Sequence, residues 1–469
     1  MRVRGLRTAL VIVSGAALVL GACSSSSKTS GSASGGSAAG TTTTANSHPS
    51  LLASNGPCDP AKKHYPLGII TTFASPVLSL GDQVKALEVS VKAFNKRGGI
   101  GGHCGDVMSC DEKADPNLEV DCARKLVAAG VVATLNDTTS VNPGPTSEVF
   151  AAAGVPRVGI SPGIPELSSP VSYMIGAGGV GTTFMMVPAC TRNGHKKLAA
   201  ITVDSPQIGA LIAALGPMLK AYGAEIVSKA PVPAGTTDFQ QFTLAAEKAG
   251  ATCAILPLGN NEAVQVLQAA KQLGSKLTFS GSLGTFGRKD MRDLGDFASQ
   301  VYLNAELPPV TADQQRWPIL ADVIADLSAS GDPALQAETL KSSPVRSWVA
   351  MYSLVKIVQD FGKPDDVSKE AITAAMKAAK DVDHFGLIPP WTPDKSITGP
   401  GPLSRISQPW YYVTKWDSAK KDFTVLDSQF NVLSELGGKI EYAQPDEKPG
   451  APSSSASTST TAASGTTAK

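Results

Sequence analysis

The sequence predicts an α/β fold of two lobes, each built on a parallel sheet. Short apolar runs of strand length alternate with helical stripes from Tyr65 to Phe279, the pattern of strand–helix units whose strands lie side by side in parallel. About 390 residues stand between two tails poor in apolar side chains, more than one core usually supports, so two lobes are expected. Lysine and arginine number 41 against 40 acidic residues, a formal net charge of +1. That balance gives no basic field for nucleic acid and no acidic field for cationic partners.

Arg2, Arg4 and Arg7 precede an uncharged run from Thr8 to Leu20, which ends in Leu20-Gly21-Ala22-Cys23. A basic start, a short apolar run and a small-residue cleavage site read as an export signal, too short for a comfortable membrane span. The closing tetrapeptide resembles a bacterial lipobox, which implies that Cys23 is diacylated and anchors the chain at the outer face of the membrane, since stable anchoring takes about two chains. Residues 24–57 begin as an almost pure Ser, Gly, Thr and Ala tether, with a reach of roughly 30 Å. Residues 443–469 form a second Ser/Thr-rich tail, expected to be disordered.

The first unit of the globular part sets the pattern. Pro66-Leu67-Gly68-Ile69-Ile70 is a buried-strand run, followed by the loop Thr71-Thr72-Phe73-Ala74-Ser75-Pro76. After Asp82, Val84, Leu87, Val91 and Phe94 share one helical face until Gly98 and Gly99 stop the helix. Strands then follow at Gly105–Met108, Val131–Leu135, Val155–Val158, Leu198–Val203, Glu225–Ser228, Cys253–Leu256 and Leu277–Phe279. Helices are expected at Asn117–Ala129, Thr146–Ala153, from about Thr182, and at Ile208–Tyr222, Phe239–Ala249 and Glu262–Leu273. A long helix, Val345–Phe361, carries Trp348, Val349, Tyr352, Val355 and Val358 on an apolar face. Trp410–Val413 and Phe423–Leu426 read as a late hairpin.

Gly81-Asp82-Gln83 before the first helix and Asn95-Lys96-Arg97-Gly98-Gly99-Ile100-Gly101-Gly102 after it resemble the opening of the branched-chain amino-acid-binding proteins, the type I solute-binding proteins of ABC transporters. Asp115-Pro116, Gly154-Val155-Pro156, Pro165-Glu166-Leu167 and Thr237-Asp238-Phe239 continue the resemblance in order. It implies two Rossmann-like lobes joined by a multi-crossing hinge, with residues 58–172 and 307–382 in the first lobe and 173–306 and 383–442 in the second. It further implies a monomer that holds a small molecule between the lobes and hands it to an ABC permease, with a sensory receptor of the same fold as the alternative.

Six cysteines remain beside Cys23, an even number that favours disulfides in an exported chain, although six allow many connectivities. The expected pairs are Cys110 with Cys122, Cys58 with Cys104 and Cys190 with Cys253. The spacings form no paired C-x-x-C knuckles and no histidine is placed beside them, so a metal site is not expected.

Two motifs invite an enzymatic reading. Gly176-Ala177-Gly178-Gly179-Val180-Gly181 is a literal G-x-G-x-x-G, with Asp204 at the end of the next strand. It falls where the resemblance places the crossing to the second lobe, and no cofactor is expected. Gly159-Ile160-Ser161-Pro162-Gly163 is a literal G-x-S-x-G, but Pro162 lacks the N–H that an oxyanion hole needs after the serine. His48, His64, His103, His195 and His384 are too scattered to nominate a general base and read as surface or loop residues. No enzymatic activity is expected.

The resemblance also points to ligand-binding positions. It places Ser140, after the strand Val131–Leu135, on the family's ligand-binding serine, with Thr139 beside it in the expected site, where a hydroxyl and free N–H groups at a helix N-terminus would grip an anion or carbonyl. Ser161 stands where the family uses a carbonyl, and Gly163 where it uses a threonine hydroxyl. Leu80 and Ile208 replace pocket tyrosines, and a third is missing near Gly259 and Asn260. Leu283, before Gly284, replaces the acid that receives the ligand's ammonium. A cation in a closed cleft without a counter-charge costs several kcal/mol by a rough estimate, so the ligand is expected to be a neutral or carboxylate-bearing metabolite rather than a standard α-amino acid. With Phe73, these residues suggest a more apolar pocket. Glu262 or Asp137 could restore the missing charge.

Overall fold

The computed structural model describes residues 50–75, 78–139, 141–311, 314–396, 403–426 and 430–432. The expected lipidation of Cys23, the tether before residue 50, His48, Ser140 and the C-terminal tail lie outside the described residues.

The first lobe opens with β1 (Tyr65–Thr71), α1 (Gly81–Lys96), β2 (Gly105–Asp111), α2 (Pro116–Ala128), β3 (Ala133–Leu135), α3 (Pro143–Ala153), β4 (Arg157–Val158) and β5 (Ser172–Tyr173). Its strands form one parallel sheet in the order β2-β1-β3-β4-β5. Each strand after the first returns by a helix, so the strand carboxyl ends share one edge. The α1 stripe expected from the sequence, Val84, Leu87, Val91 and Phe94, is buried on one face of this sheet. Ile70, Cys122, Leu126 and Phe150 fill the other face beneath α2 and α3.

The second lobe runs through α4 (Gly178–Thr191), β6 (Lys197–Val203), α5 (Pro206–Ala214), α6 (Gly216–Ala221), β7 (Glu225–Val232), α7 (Gln240–Lys248), β8 (Cys253–Ile255), α8 (Asn260–Leu273), β9 (Thr278–Ser282), α9 (Arg288–Leu294) and β10 (Val301–Ala305). The single helix expected over Ile208–Tyr222 is two: Pro217 has no N–H to donate and crowds the carbonyl four residues back, so the chain breaks between α5 and α6.

The chain then returns to the first lobe. Leu307, Val310 and Trp317 enter its core, followed by α10 (Ile319–Ser328), α11 (Ser342–Phe361) and α12 (Lys369–Ala378). Beyond residue 382 the chain still packs there: Val382, Leu387, Ile388 and Trp391 belong to the first-lobe core. Helix α11 is buried on nearly every side as far as Val358, more completely than its one-sided stripe suggests, and Tyr352 stacks on Trp348 with an interplanar angle of 6°. The late hairpin, β11 (Trp410–Asp417) and β12 (Asp422–Val425), adds antiparallel strands to β10, and β13 (Phe430–Asn431) pairs with β11. The second sheet thus reads β12-β11-β10-β9-β8-β6-β7.

All three expected disulfides are present. Cys58–Cys104 ties the entry segment to the start of β2, Cys110–Cys122 joins β2 to α2, and Cys190–Cys253 joins α4 to β8. Two histidines depart from the surface reading. His103 is 5 % exposed, between the Lys63 carbonyl and Asp365, and His384 is 1 % exposed. His384 receives the Ser353 hydroxyl at 2.8 Å, and burial pulls its imidazole down to about 4, so it is neutral at pH 7. Among the described residues no helix is long and apolar enough to cross a membrane, and no cluster of three or more His, Cys, Asp or Glu side chains could hold a metal ion.

Candidate ligand-binding site

The loops that follow β1 and β8 bring the two lobes into contact. Ser79, in the loop after β1, is held by its neighbours: Leu80 N–H donates to the Thr72 carbonyl at 3.0 Å and Gly81 N–H to the Phe73 carbonyl at 3.0 Å. From the other lobe, the Asn260 side-chain amide donates to the Ser79 carbonyl at 3.3 Å. The expected residues Phe73, Leu80 and Asn260 are therefore brought together at this lobe contact, with Leu80 buried at 6 % exposure.

A second meeting point lies at the start of α11. A Cβ on Gly284 would fall 3.0 Å from the Ser343 hydroxyl and 3.4 Å from that of Ser342, so only a glycine lets the end of β9 approach this closely without a shift. Leu283 is 3 % exposed in the second-lobe core and also lines a crevice with Lys341 and Ser342. The crevice measures about 10 Å³, room for roughly one water.

Other expected residues serve the scaffold. Arg157 is fully buried, with Nε 2.9 Å from Asp137 Oδ2 and Nη1 on Glu166 Oε1. Thr139 donates its hydroxyl to Glu166 at 2.7 Å, and Gly163 N–H donates to the other Glu166 oxygen at 2.7 Å. Ser161 N–H donates to the Asp137 carbonyl at 2.8 Å. Thr139 and the Gly163 and Ser161 amides are thus spent on the ion cluster and the loops it joins. Both oxygens of the Asp137 carboxylate are engaged within the first lobe, Oδ1 by Ile70 N–H and Oδ2 by Thr134 and Arg157. Ile208 packs beside Phe184, between a second-lobe cluster and one that joins the two lobes through Ile160 and Leu167.

Two of the amides just before α3 are occupied. Glu119, from the first turn of α2, accepts from Val141 N–H at 3.0 Å and Asn142 N–H at 3.2 Å, while its other oxygen accepts the Thr146 hydroxyl at 2.9 Å. Close by, Glu112 is fully buried and accepts the Thr72 hydroxyl; its second oxygen has no partner. Burial pushes the Glu112 carboxyl up to about 7, with Glu119 and Asp111 adding to the effect. Sequence reasoning missed both glutamates, although an acidic residue directly after a strand was a usable sign.

The glycine-rich motif lies at the hinge. A Cβ on Gly176 would come within 2.1 Å of Glu306 Cγ, one on Gly178 within 2.9 Å of Ser161 Oγ, and one on Gly181 within 2.3 Å of the Tyr411 hydroxyl. Glu306 in turn lies 3.2 Å from Arg346 Nη1 on α11 and 3.3 Å from the Tyr411 hydroxyl. These glycines make room for the chain's own crossing segments.

A family model described as periplasmic binding protein matches residues 64–421. The chain belongs to this family. The Leu/Ile/Val-binding protein of Escherichia coli K12 is 24% identical to it over 306 residues, covering 60% of this chain and 83% of that one. Among solved structures, a fatty acid ABC transporter substrate-binding protein from Thermomonospora curvata superposes with a TM-score of 0.66 at 16% identity, covering 83% of this chain and 97% of the other. A solute-binding protein of an ABC transporter from R. palustris, in complex with 4-hydroxybenzoate, gives 0.62 at 17% identity, covering 77% and 95%. The two parallel-sheet lobes of this periplasmic binding protein are those of the type I fold, and Asn260 and Gly284 mark where its lobes touch.

Proposed function

We propose that this periplasmic binding protein is an extracytoplasmic, lipid-anchored solute-binding protein that closes its two lobes around a small organic molecule and delivers it to an ABC permease. The observation that carries this reading is the hydrogen bond from Asn260 of one lobe to the Ser79 carbonyl of the other, at the strand ends where α/β proteins bind ligands. A ligand touching both lobes favours the closed state by its differential affinity for it. The anchor is Cys23, and the tether that follows it gives the lobes reach toward a permease.

The names of related proteins span branched-chain amino acids, a fatty acid and 4-hydroxybenzoate, so the fold alone does not choose the solute. The second reading is branched-chain amino-acid binding in the usual family manner, favoured by the names of the curated relatives. The test is a thermal-shift screen of the intact protein against amino acids, amines, amides, organic acids and sugars, since a solute bound only by the native state raises its melting temperature. At least one solute is expected to shift the wild type and to lose the shift in Asn260→Ala. A screen without hits would move the reading to a sensor of a membrane signalling partner. Labelling with a radioactive fatty acid, lost in Cys23→Ser, checks the anchor.

A further inference from the structure

Asn260 and Gly284 mark two contacts between the lobes. A third lies away from both, and it is ionic. The segment 336–341, between α10 and α11, belongs to the first lobe: Leu335 and Leu340 are buried in that lobe's core, and the Gln336 side-chain amide donates to the Ser328 carbonyl at the end of α10 at 3.4 Å. Helix α9 belongs to the second lobe, where Met291 and Leu294 are buried. Glu338 reaches from the one to the other.

Glu338 Oε1 accepts from Arg288 Nη1 at 2.6 Å, and Oε2 accepts from Arg292 Nη1, so one carboxylate takes both arginines of α9. Standing four residues apart, the two arginines share a helix face. The backbones approach as well. Lys289 N–H donates to the Glu338 carbonyl at 3.3 Å, and a Cβ on Gly287 would fall 3.0 Å from the Thr339 carbonyl oxygen. Arg288 is also positioned by its own lobe: Nη2 donates to the Lys421 carbonyl at 3.1 Å, and Nε lies 3.4 Å from Asp422 Oδ1, which accepts the Thr311 hydroxyl at 2.6 Å. The crevice beside this contact, lined by Arg288, Val310 and Leu340, has room for roughly one water.

The three charged side chains are partly open to water, Arg288 19 %, Arg292 36 % and Glu338 49 % exposed. An isolated pair so exposed contributes little, whereas a carboxylate shared by two guanidiniums, one of them held in place by Asp422, is a network. Its attraction acts between the lobes and is screened by salt. All of these groups are the chain's own, and none belongs to the loops that carry Ser79 and Asn260.

We propose that Glu338, Arg288 and Arg292 form an ion latch that favours the closed arrangement of the lobes independently of the solute. Closure is then in part a property of the chain, sensitive to ionic strength, and a solute has less of it left to drive. The latch goes beyond the solute-binding reading and does not depend on which solute the protein takes.

The test uses the full-length protein without solute. Spin labels on the exposed Lys92 of α1 and Gln265 of α8, introduced through non-natural amino acids so that the native disulfides stay intact, report the separation of the lobes by double electron–electron resonance. In Glu338→Gln the ratio of long-distance to short-distance populations is expected to rise roughly three- to five-fold over the wild type at low salt. About 1 M salt, where the screening length is about 3 Å, is expected to bring the wild type to the level of the variant. Lys289→Gln removes a charge whose ion pair with Asp293 stays within α9, and is expected to leave the ratio unchanged. Coincident distance distributions in Glu338→Gln and the wild type overturn the latch, as does a salt response that Glu338→Gln retains in full. Because no solute is present, either outcome leaves the solute-binding reading standing, and a solute screen without hits leaves the latch standing.

Discussion

Single residues beneath the first-lobe loops carry unusual electrostatic weight. Glu112 is an acid whose burial holds it protonated up to about 7. Because its folded value is raised above the ordinary carboxylate range, its contribution to stability is complete at low pH and is lost as pH rises through about 7. Glu112→Gln is therefore expected to flatten the fall in melting temperature between about pH 5 and pH 8; an unchanged slope would show that Glu112 is ionised in the fold. Arg157 is the converse case, a fully buried cation between two carboxylates. Arg157→Met leaves Asp137 and Glu166 without a counter-charge and is expected to cost about 3–5 kcal/mol in urea unfolding. Adding Asp137→Asn and Glu166→Gln should recover much of that loss. The sequence held a sign of this cluster, a lone arginine inside the apolar run Val155-Pro156-Arg157-Val158. Its partners could not be chosen from the sequence, because Asp137 reaches it through the parallel pairing of β3 with β4 and Glu166 through the 3-10 turn Ile164–Ser168 that folds back after β4.

At the scale of elements, most strands and helices were legible because burial imposes their periods. The stripe of α1 and the apolar run of β1 follow directly from sheet packing. What was not legible came from tertiary geometry. The break between α5 and α6 depends on one proline, and β10 ends in Asn304 and Ala305 with no turn signal before the hinge residue Glu306. The G-x-G-x-x-G run was ambiguous for a physical reason: glycines that let a phosphate approach and glycines that let a neighbouring chain approach are the same residues. Here the neighbours are Glu306, Ser161 and Tyr411. Gly181→Ala, which would set a methyl against the Tyr411 hydroxyl, is expected to destabilise the protein by about 1–3 kcal/mol. Tyr411→Phe in the same chain should relieve part of the clash; equal losses in the single and double variants would mean that the hinge yields elsewhere. The Cys190–Cys253 bridge closes a loop of sequence separation 63, so replacing both cysteines by serine is expected to cost at most about 4 kcal/mol by the loop-entropy argument, measured by denaturant titration under oxidising conditions.

The whole molecule is two sheets whose carboxyl edges face one another, crossed by the segments around Gly176 and Glu306 and by the chain returning to β11. The lobes and the family were readable from the order of motifs. The binding residues were less so, because a family position says what a residue replaces and not which way its neighbours are spent: Thr139 and Gly163 prove to serve the Arg157 cluster, while Ser79, Ser342 and Ser343 stand at the lobe contacts unannounced. The central claim is closure of both lobes on one solute, and hydrogen exchange of the intact protein with the solute returned by the screen tests it most directly. The amides of residues 78–83 in the first lobe and of 259–262 and 282–285 in the second are expected to gain protection together, with one midpoint in solute concentration. Protection confined to one lobe, or two separate midpoints, would contradict a shared cleft.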